Sequence, residues 1–441
     1  MRVNIPNENP RRPRSRDEFE IAILCALKEE FDAVDALFDE VWENNGSVPY
    51  GKAEGDLNAY TVGLMGTHPV VLTRIPGQGA CTSGAVAAGL RSSFVGIKLA
   101  LLVGTCAGVP QTPDEVDILL GDIVISTGLV RYGFAVGYPN QVIRTRALDE
   151  TLRRPNYEVR SILQKTSCGR SGAALRRDTS LYLADLAASG ALGPLNHPGP
   201  YGDKLFAPSY QHKHCDTTAC STCDSCQDGD GTFCENVTYS TCTQIGCDEE
   251  NWLVSRERLD NIKFAVKVSG GSALNLNGTL GIASPHIHFG TVSSQDFMME
   301  SGEYRDKIAK QDEVIAFESE GAGVWIVFPT VIIKGVYNYA DGHRGEDDRL
   351  WRKYAAATAA SCTKAFLKNW ASPGSAGLVP SLTQGGPPSV GGEQESLPKW
   401  WITCLVYQSW PKWITPVAWV RDSLGLQTRS TPARVRDKWI Y

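Results

Sequence analysis

The run Phe19-Glu20-Ile21-Ala22-Ile23-Leu24-Cys25-Ala26-Leu27 does most to narrow the fold, because it is almost wholly apolar and passes directly into apolar residues at helical spacing from Lys28 to Phe38. A strand buried on both faces has such a run, and a helix straight behind it opens an α/β unit. The pattern recurs. Strand-like segments occupy 59–64 and 69–74, the turn Gly77-Gln78-Gly79 leads into a small-residue helix through Phe94, and a second buried strand, Leu99 to Gly104, runs into Thr105-Cys106-Ala107-Gly108. Gly121 to Ser126 adds a short apolar strand, and residues 147–190 carry helical periodicity broken around 169–172. Val331 to Val336 forms another strand, followed by an alanine-rich helix from Leu350 to Trp370. Strands alternating with helices predict a three-layer α/β/α domain around a central mixed sheet.

A chain of 441 residues has room for one large domain with additions, or for two domains. Its net charge of -6 and pI near 5.7 leave no basic footprint for nucleic acid, so a small-molecule substrate is expected. Five arginines fall in the first sixteen residues with no apolar stretch behind them, so 1–17 is expected to be a disordered tail and not a secretory signal. Cytoplasm or nucleus follows, with the thirteen cysteines reduced. The α/β domain is expected over 18–369, interrupted by a Cys-rich insert at 212–247. Residues 371–398, rich in Gly, Ser and Pro, form a flexible linker. The tail 399–441 holds Trp400, Trp401, Trp410, Trp413 and Trp419, but Pro411 and Pro416 break it into pieces too short for a transmembrane span.

Chemistry concentrates in Glu318-Ser319-Glu320, set within the otherwise apolar and small-residue stretch Ala316 to Trp325. A buried carboxylate needs a partner, and the vicinal hydroxyls of a sugar supply one, since an ionised Glu accepts two hydrogen bonds. A side chain at the end of the next strand, Asn338, would then meet a base.

Five motifs in this order, Ile21 to Glu30, Leu102 to Val109, Gly121 to Val124, Ala316 to Gly323 and Lys334 to Asp341, resemble the nucleoside phosphorylase and nucleosidase superfamily over roughly 18–369. The resemblance is greatest to its fungal branch, often fused to immune-type receptors. It implies hydrolysis of the N-glycosidic bond of a purine nucleoside or nucleotide, a homodimer that completes the site, and no cofactor for catalysis. By position, Glu30 matches the glutamate that polarises the attacking water; in a first helical turn the same residue would also favour the helix dipole. Glu320 matches the ribose-clamping glutamate, with Ser319 where methionine usually packs beneath the sugar. Ser294, Phe297 and Met298 fall in the segment that stacks on the base, although Phe297 beside Met298 equally suits core packing. Cys106 sits in the second motif. Phosphorylases carry an Arg where this chain has Leu102, and an apolar side chain cannot pair with phosphate, which leaves water as the nucleophile and Arg74 as the remaining anion partner.

Most relatives have an Asp at the position of Asn338, where it protonates the departing purine. An amide can hydrogen-bond but cannot donate that proton as an acid. Three readings follow: an enzyme selecting 6-oxopurines, a weakened protein that binds a nucleoside as a sensor or effector module, or an engineered inactive variant. Asp341 is expected to order the loop, together with His343.

The insert holds His212, His214, Cys215, Cys220, Cys223, Cys226, Cys234, Cys242 and Cys247. The spacing of Cys220, Cys223 and Cys226, with Cys215 as a fourth ligand, suits structural zinc. A loop with reduced thiols and a set of disulfides are the other readings.

Overall fold

The computed structural model describes residues 12–42, 50–132, 135–138, 141–144, 155–213, 235–269 and 284–371. The chain divides into Met1–Ser375 and Ala376–Tyr441, and the second unit lies outside the described residues, as does the linker expected at 371–398 beyond residue 371.

The opening strand and helix are β1 (Ile21–Cys25) and α1 (Lys28–Asp35). A short β2 (Glu40–Val41) precedes the hairpin of β3 (Tyr60–Met65) and β4 (His68–Arg74), and α2 (Ala80–Ser93) leads to β5 (Leu99–Gly108). β6 (Ile123–Tyr132) is followed by a two-stranded ribbon of β7 (Ala135–Tyr138) and β8 (Gln141–Arg144), then by α3 (Tyr157–Ser167) and α4 (Gly169–Ser189). Short helices α5 (Cys242–Ile245) and α6 (Glu249–Trp252) come before α7 (Glu257–Ser269). The last part is β9 (Ile287–Gln295), α8 (Gly302–Asp312), β10 (Val314–Glu318), α9 (Gly321–Trp325), β11 (Thr330–Asn338) and α10 (Asp348–Leu367).

Nine of these strands form one mixed sheet in the order β10-β9-β6-β11-β5-β1-β4-β3-β2. β1 is parallel to β4 and β5, and β5 to β11, whereas β6 lies antiparallel to β11. This is the expected three-layer α/β/α architecture with a central mixed sheet. One half of the sheet also curls: β10 pairs antiparallel with β5 through Ala316–Gly108 and Phe317–Ala107. Those pairs lie at or near the carboxyl ends of both strands, so two strands of opposite direction deliver their last residues to one place.

The helix α10 packs along β11 and β5 and also against α1 and α4. Its alanines 355, 356, 357, 359 and 360 are buried, and a Cβ at Gly335 in β11 would lie 2.0 Å from the Ala355 carbonyl oxygen. Only glycine lets helix backbone and strand approach this closely.

Three segments differ from expectation. Within the stretch 147–190, the described residues from 155 onward form two helices that meet at Cys168, whose extended backbone (φ -140) ends the first just ahead of Gly169. β6 runs ten residues, not six, because its exposed Thr127 and Arg131 mask the strand beyond Ser126. Within 1–17, residues 12–17 are ordered: Pro13 accepts a hydrogen bond from Tyr50 Oη at 2.8 Å, and Arg16–Glu18 forms a 3-10 turn. Among the described residues no helix is long and apolar enough to cross a membrane.

Candidate active site

A single cavity is lined by Ala26, Leu27 and Glu30 after β1, by Thr105 to Ala107 of β5, by Gln295, and by Phe317 to Glu320. Tyr337, Asn338 and the loop through Arg344 close its other side. Ligand sites in α/β sheets gather at the carboxyl ends of strands, and here the contact between β5 and β10 brings those ends together.

Glu30 is buried. Its Oε1 accepts from the Thr105 amide (2.7 Å) and Thr105 Oγ1 (2.9 Å), while Oε2 accepts from the amides of Ala26 (3.0 Å) and Leu27 (2.9 Å). Helix capping and site formation are therefore done by one carboxylate: Oε2 satisfies amides at the entry to α1, and Oε1 reaches across to β5. A Cβ at Gly104 would lie 2.3 Å from the Glu30 carboxyl carbon, so the glycine is what admits the carboxylate.

Glu320 is buried and accepts from Ser319 Oγ at 2.7 Å, and the Lys334 ammonium stands 3.5 Å from its Oε2. Glu318 accepts from the amides of Glu320 (3.0 Å) and Gly321 (2.8 Å). Ser294 Oγ accepts from the Ala322 amide at 3.0 Å, which ties β9 to the start of α9. Burial would lower the Lys334 pKa, but the attraction of Glu30, Glu320 and Glu318 outweighs it and holds the lysine above its ordinary value. Burial, and then the charge of Glu320, push the Glu318 carboxyl up. Burial likewise pushes the Cys106 thiol up to about 12, so it lines the cavity as a neutral group.

Asn338 ends β11 just past a register shift between Val336 and Asn338 in the pairing with β5. Such a bulge re-aims a side chain at a strand end. Asn338 Oδ1 accepts from the Ala340 amide at 3.3 Å, and Ala340 takes a left-handed φ of 56. The loop is held on several sides: Tyr339 Oη donates to Asp203 at 2.8 Å within a buried group that includes Arg256, and Arg305 donates to the Tyr339 carbonyl at 2.9 Å. Asp341 accepts from the His343 amide at 3.1 Å, and burial raises its pKa.

Of the residues singled out from the sequence, Glu30, Cys106, Phe297, Met298, Ser319, Glu320 and Asn338 line this cavity, and Ser294 supports it from behind. Phe297 and Met298 are rim residues, 45% and 62% exposed. Leu102 is buried in β5 between Leu24 and Ile332, whereas Arg74 is exposed and does not line the cavity. Sequence reasoning missed Lys334 and Gln295. A lone lysine in the apolar strand Val331 to Val336 was the available signal for the first. Gln295 is buried, and its Oε1 has no hydrogen-bond partner among the described residues. Cys215, Cys220, Cys223 and Cys226 lie outside the described residues.

Fold and cavity together define a mixed α/β protein with a buried acid and lysine cluster at its strand ends. No protein-family model matches the chain. It is 24% identical over 375 residues to a nucleotide-binding leucine-rich repeat (NLR)-like protein of Hyaloscypha variabilis, covering 82% of this chain and 31% of that protein; the chain thus spans about a third of that relative's length. Among solved structures it is similar to a mutant MTAN of Helicobacter pylori with 5′-methylthioadenosine in the active site, at 14% identity, TM-score 0.38, 80% of this chain and 99% of that one. It is also similar to futalosine hydrolase of the same organism, at 13% identity, TM-score 0.37, 80% of this chain and 98% of that one.

Proposed function

We propose that this chain uses water to cleave the N-glycosidic bond of a purine nucleoside or nucleotide. The observation that carries this reading is the convergence of Glu30, Glu318 and Glu320, which line the cavity, around the buried Lys334. Glycosidic cleavage passes through an oxocarbenium-like, cationic transition state, and a carboxylate-rich pocket stabilises such charge where it develops. Glu320 accepts the ribose hydroxyls. Glu30 already receives four donors, so the attacking water joins through Thr105 Oγ1, whose lone pairs remain available while it donates to Glu30.

Asn338 sets the base. Its carbonyl oxygen is engaged by the Ala340 amide, which leaves the NH₂ to donate to an acceptor such as O6 or N7 of a 6-oxopurine. Phe297 and Met298 cover the base at the rim, and a second copy of the chain completes the pocket there. The same amide favours a second reading, a nucleoside-sensing module that binds without turnover, because it cannot act as the acid.

Incubation with inosine, guanosine, adenosine, methylthioadenosine and ATP, with and without phosphate, separates the two by the appearance of free base. Release that needs no phosphate is expected; release only with phosphate would sink the hydrolase reading. Binding without release would favour the sensor. Asn338→Asp, measured in the same assay, is expected to raise the rate of base release by about 10²- to 10⁴-fold for a 6-aminopurine substrate, the usual worth of a positioned acid.

A further inference from the structure

The loop that follows Asn338 ends against a second cluster with different chemistry. His343 Nδ1 lies 3.6 Å from Cys242 Sγ and 3.9 Å from Cys247 Sγ, and His212 Nδ1 lies 3.8 Å and 3.6 Å from the same two sulfurs. All four donor atoms fall within 4.8 Å of one another. We propose that these four residues bind one zinc ion tetrahedrally, clamping the Cys-rich insert to the loop that carries Asn338.

Geometry and donor chemistry point the same way. Zinc bonds of about 2.0–2.1 Å to nitrogen and about 2.3 Å to sulfur, at tetrahedral angles, place each nitrogen about 3.6 Å from each sulfur. The four nitrogen–sulfur distances match within a few tenths of an ångström. Two thiolates with two imidazoles are a closed structural zinc set, and they balance the charge of a divalent ion. A two-iron cluster with two cysteines and two histidines is excluded, because it places the thiolates and imidazoles on different irons, too far apart for these spacings.

The surroundings hold the donors in place. His343 Nε2 lies 3.1 Å from the Tyr210 carbonyl oxygen, and His212 Nε2 lies 3.0 Å from the Ser240 carbonyl oxygen. A carbonyl partner fixes the proton on Nε2 and turns the Nδ1 lone pair toward the cluster, the usual outer-shell arrangement for a metal-bound histidine. The His343 ring is stacked on Phe206 with centroids 3.9 Å apart. Cys242 and Cys247 are brought together by the single turn α5 and its left-handed cap at Gly246 (φ 73), and the Cys242 amide donates to the Arg344 carbonyl at 2.8 Å. Insert and loop thus already touch through backbone beside the proposed ion.

The test uses the full chain, purified under reducing conditions without a metal-affinity step. Zinc measured by mass spectrometry should fall by one equivalent per chain in Cys242→Ser/Cys247→Ser and remain unchanged in Cys220→Ser/Cys223→Ser/Cys226→Ser. In the unsubstituted protein, prior chelation should expose Cys242 and Cys247 to alkylation and added zinc should protect them; cobalt in place of zinc should give the visible bands of a tetrahedral thiolate site. A wild-type chain without zinc, a Cys242–Cys247 disulfide, zinc content unchanged by the double substitution, or alkylation of both cysteines indifferent to zinc would each overturn the proposal. The alkylation result stands even if the double variant does not fold.

Discussion

The two clusters on either side of the loop 338–344 solve opposite problems. In the cavity, three carboxylates surround one buried lysine, and their oxygens are taken up by named donors: Thr105, Ala26 and Leu27 on Glu30, Ser319 on Glu320, and backbone amides on Glu318. Lys334 offsets part of the negative charge there, and the three glutamates line the cavity. At His212, Cys242, Cys247 and His343 the imidazoles are anchored by their outer nitrogens, and their inner nitrogens turn toward two sulfurs. Oxygen donors around a lysine make a pocket for a polar molecule, whereas two thiols and two imidazoles facing one another make a place for a metal. One loop connects them, so its shape is set from both ends.

Substitutions that unbalance the first cluster test this contrast most severely. Lys334→Met removes the only cation named among the three carboxylates and is expected to destabilise the fold by about 3–5 kcal/mol, the range for breaking a buried pair; chemical denaturation measures it. A loss under about 1 kcal/mol would mean that the carboxylates hold their own protons and do not depend on the lysine charge. Glu320→Gln should leave stability closer to wild type but weaken nucleoside binding about 10- to 100-fold, because hydrogen bonds to a charged group contribute roughly 1.5–3 kcal/mol. Calorimetric titration with an unreactive nucleoside analogue reads the change, and an unaltered affinity would take the ribose away from Glu320.

A smaller effect follows from Glu318. Its pKa is raised in the fold, so the protonated form is the one the structure favours. The stability it contributes is complete below the unfolded carboxylate pKa and is lost as pH rises through the folded value, by at most about 1.4 kcal/mol per pH unit. Unfolding measured from pH 4 upward should therefore show wild type losing stability relative to Glu318→Gln, which lacks the titration. A constant difference across that window would show that burial and the charge of Glu320 do not raise the Glu318 pKa.

Much of the pocket was legible because its parts are local. The strand and helix at the start of the chain, the Gly104 to Gly108 end of β5 and the Glu318 to Gly321 segment each carry apolar runs and small residues whose pattern identifies them without neighbours. β9 was not identified as a strand, because Ile287–Gln295 alternates apolar residues with polar ones that are nevertheless buried, Ser293, Ser294 and Gln295 among them. Their burial is a property of the strands beside them. The metal ligands show the same limit more sharply: cysteine spacing drew attention to 215–226, while the geometry that fits zinc combines His212, two cysteines of the following turn, and His343 about a hundred residues further on.

The sequence by itself determined the alternation of strands and helices, the carboxylates that belong to the pocket, and the amide at Asn338 in place of an acid. These depend on residue type and short-range periodicity, which a linear chain displays. Only the tertiary structure decided that β5 and β10 meet at their tips, that Lys334 stands among three carboxylates, and that His343 faces His212, Cys242 and Cys247. Those are distances between segments remote in the chain. They arise when the sheet curls and the insert folds back on the loop, and a burial or a charge balance exists only once that has happened.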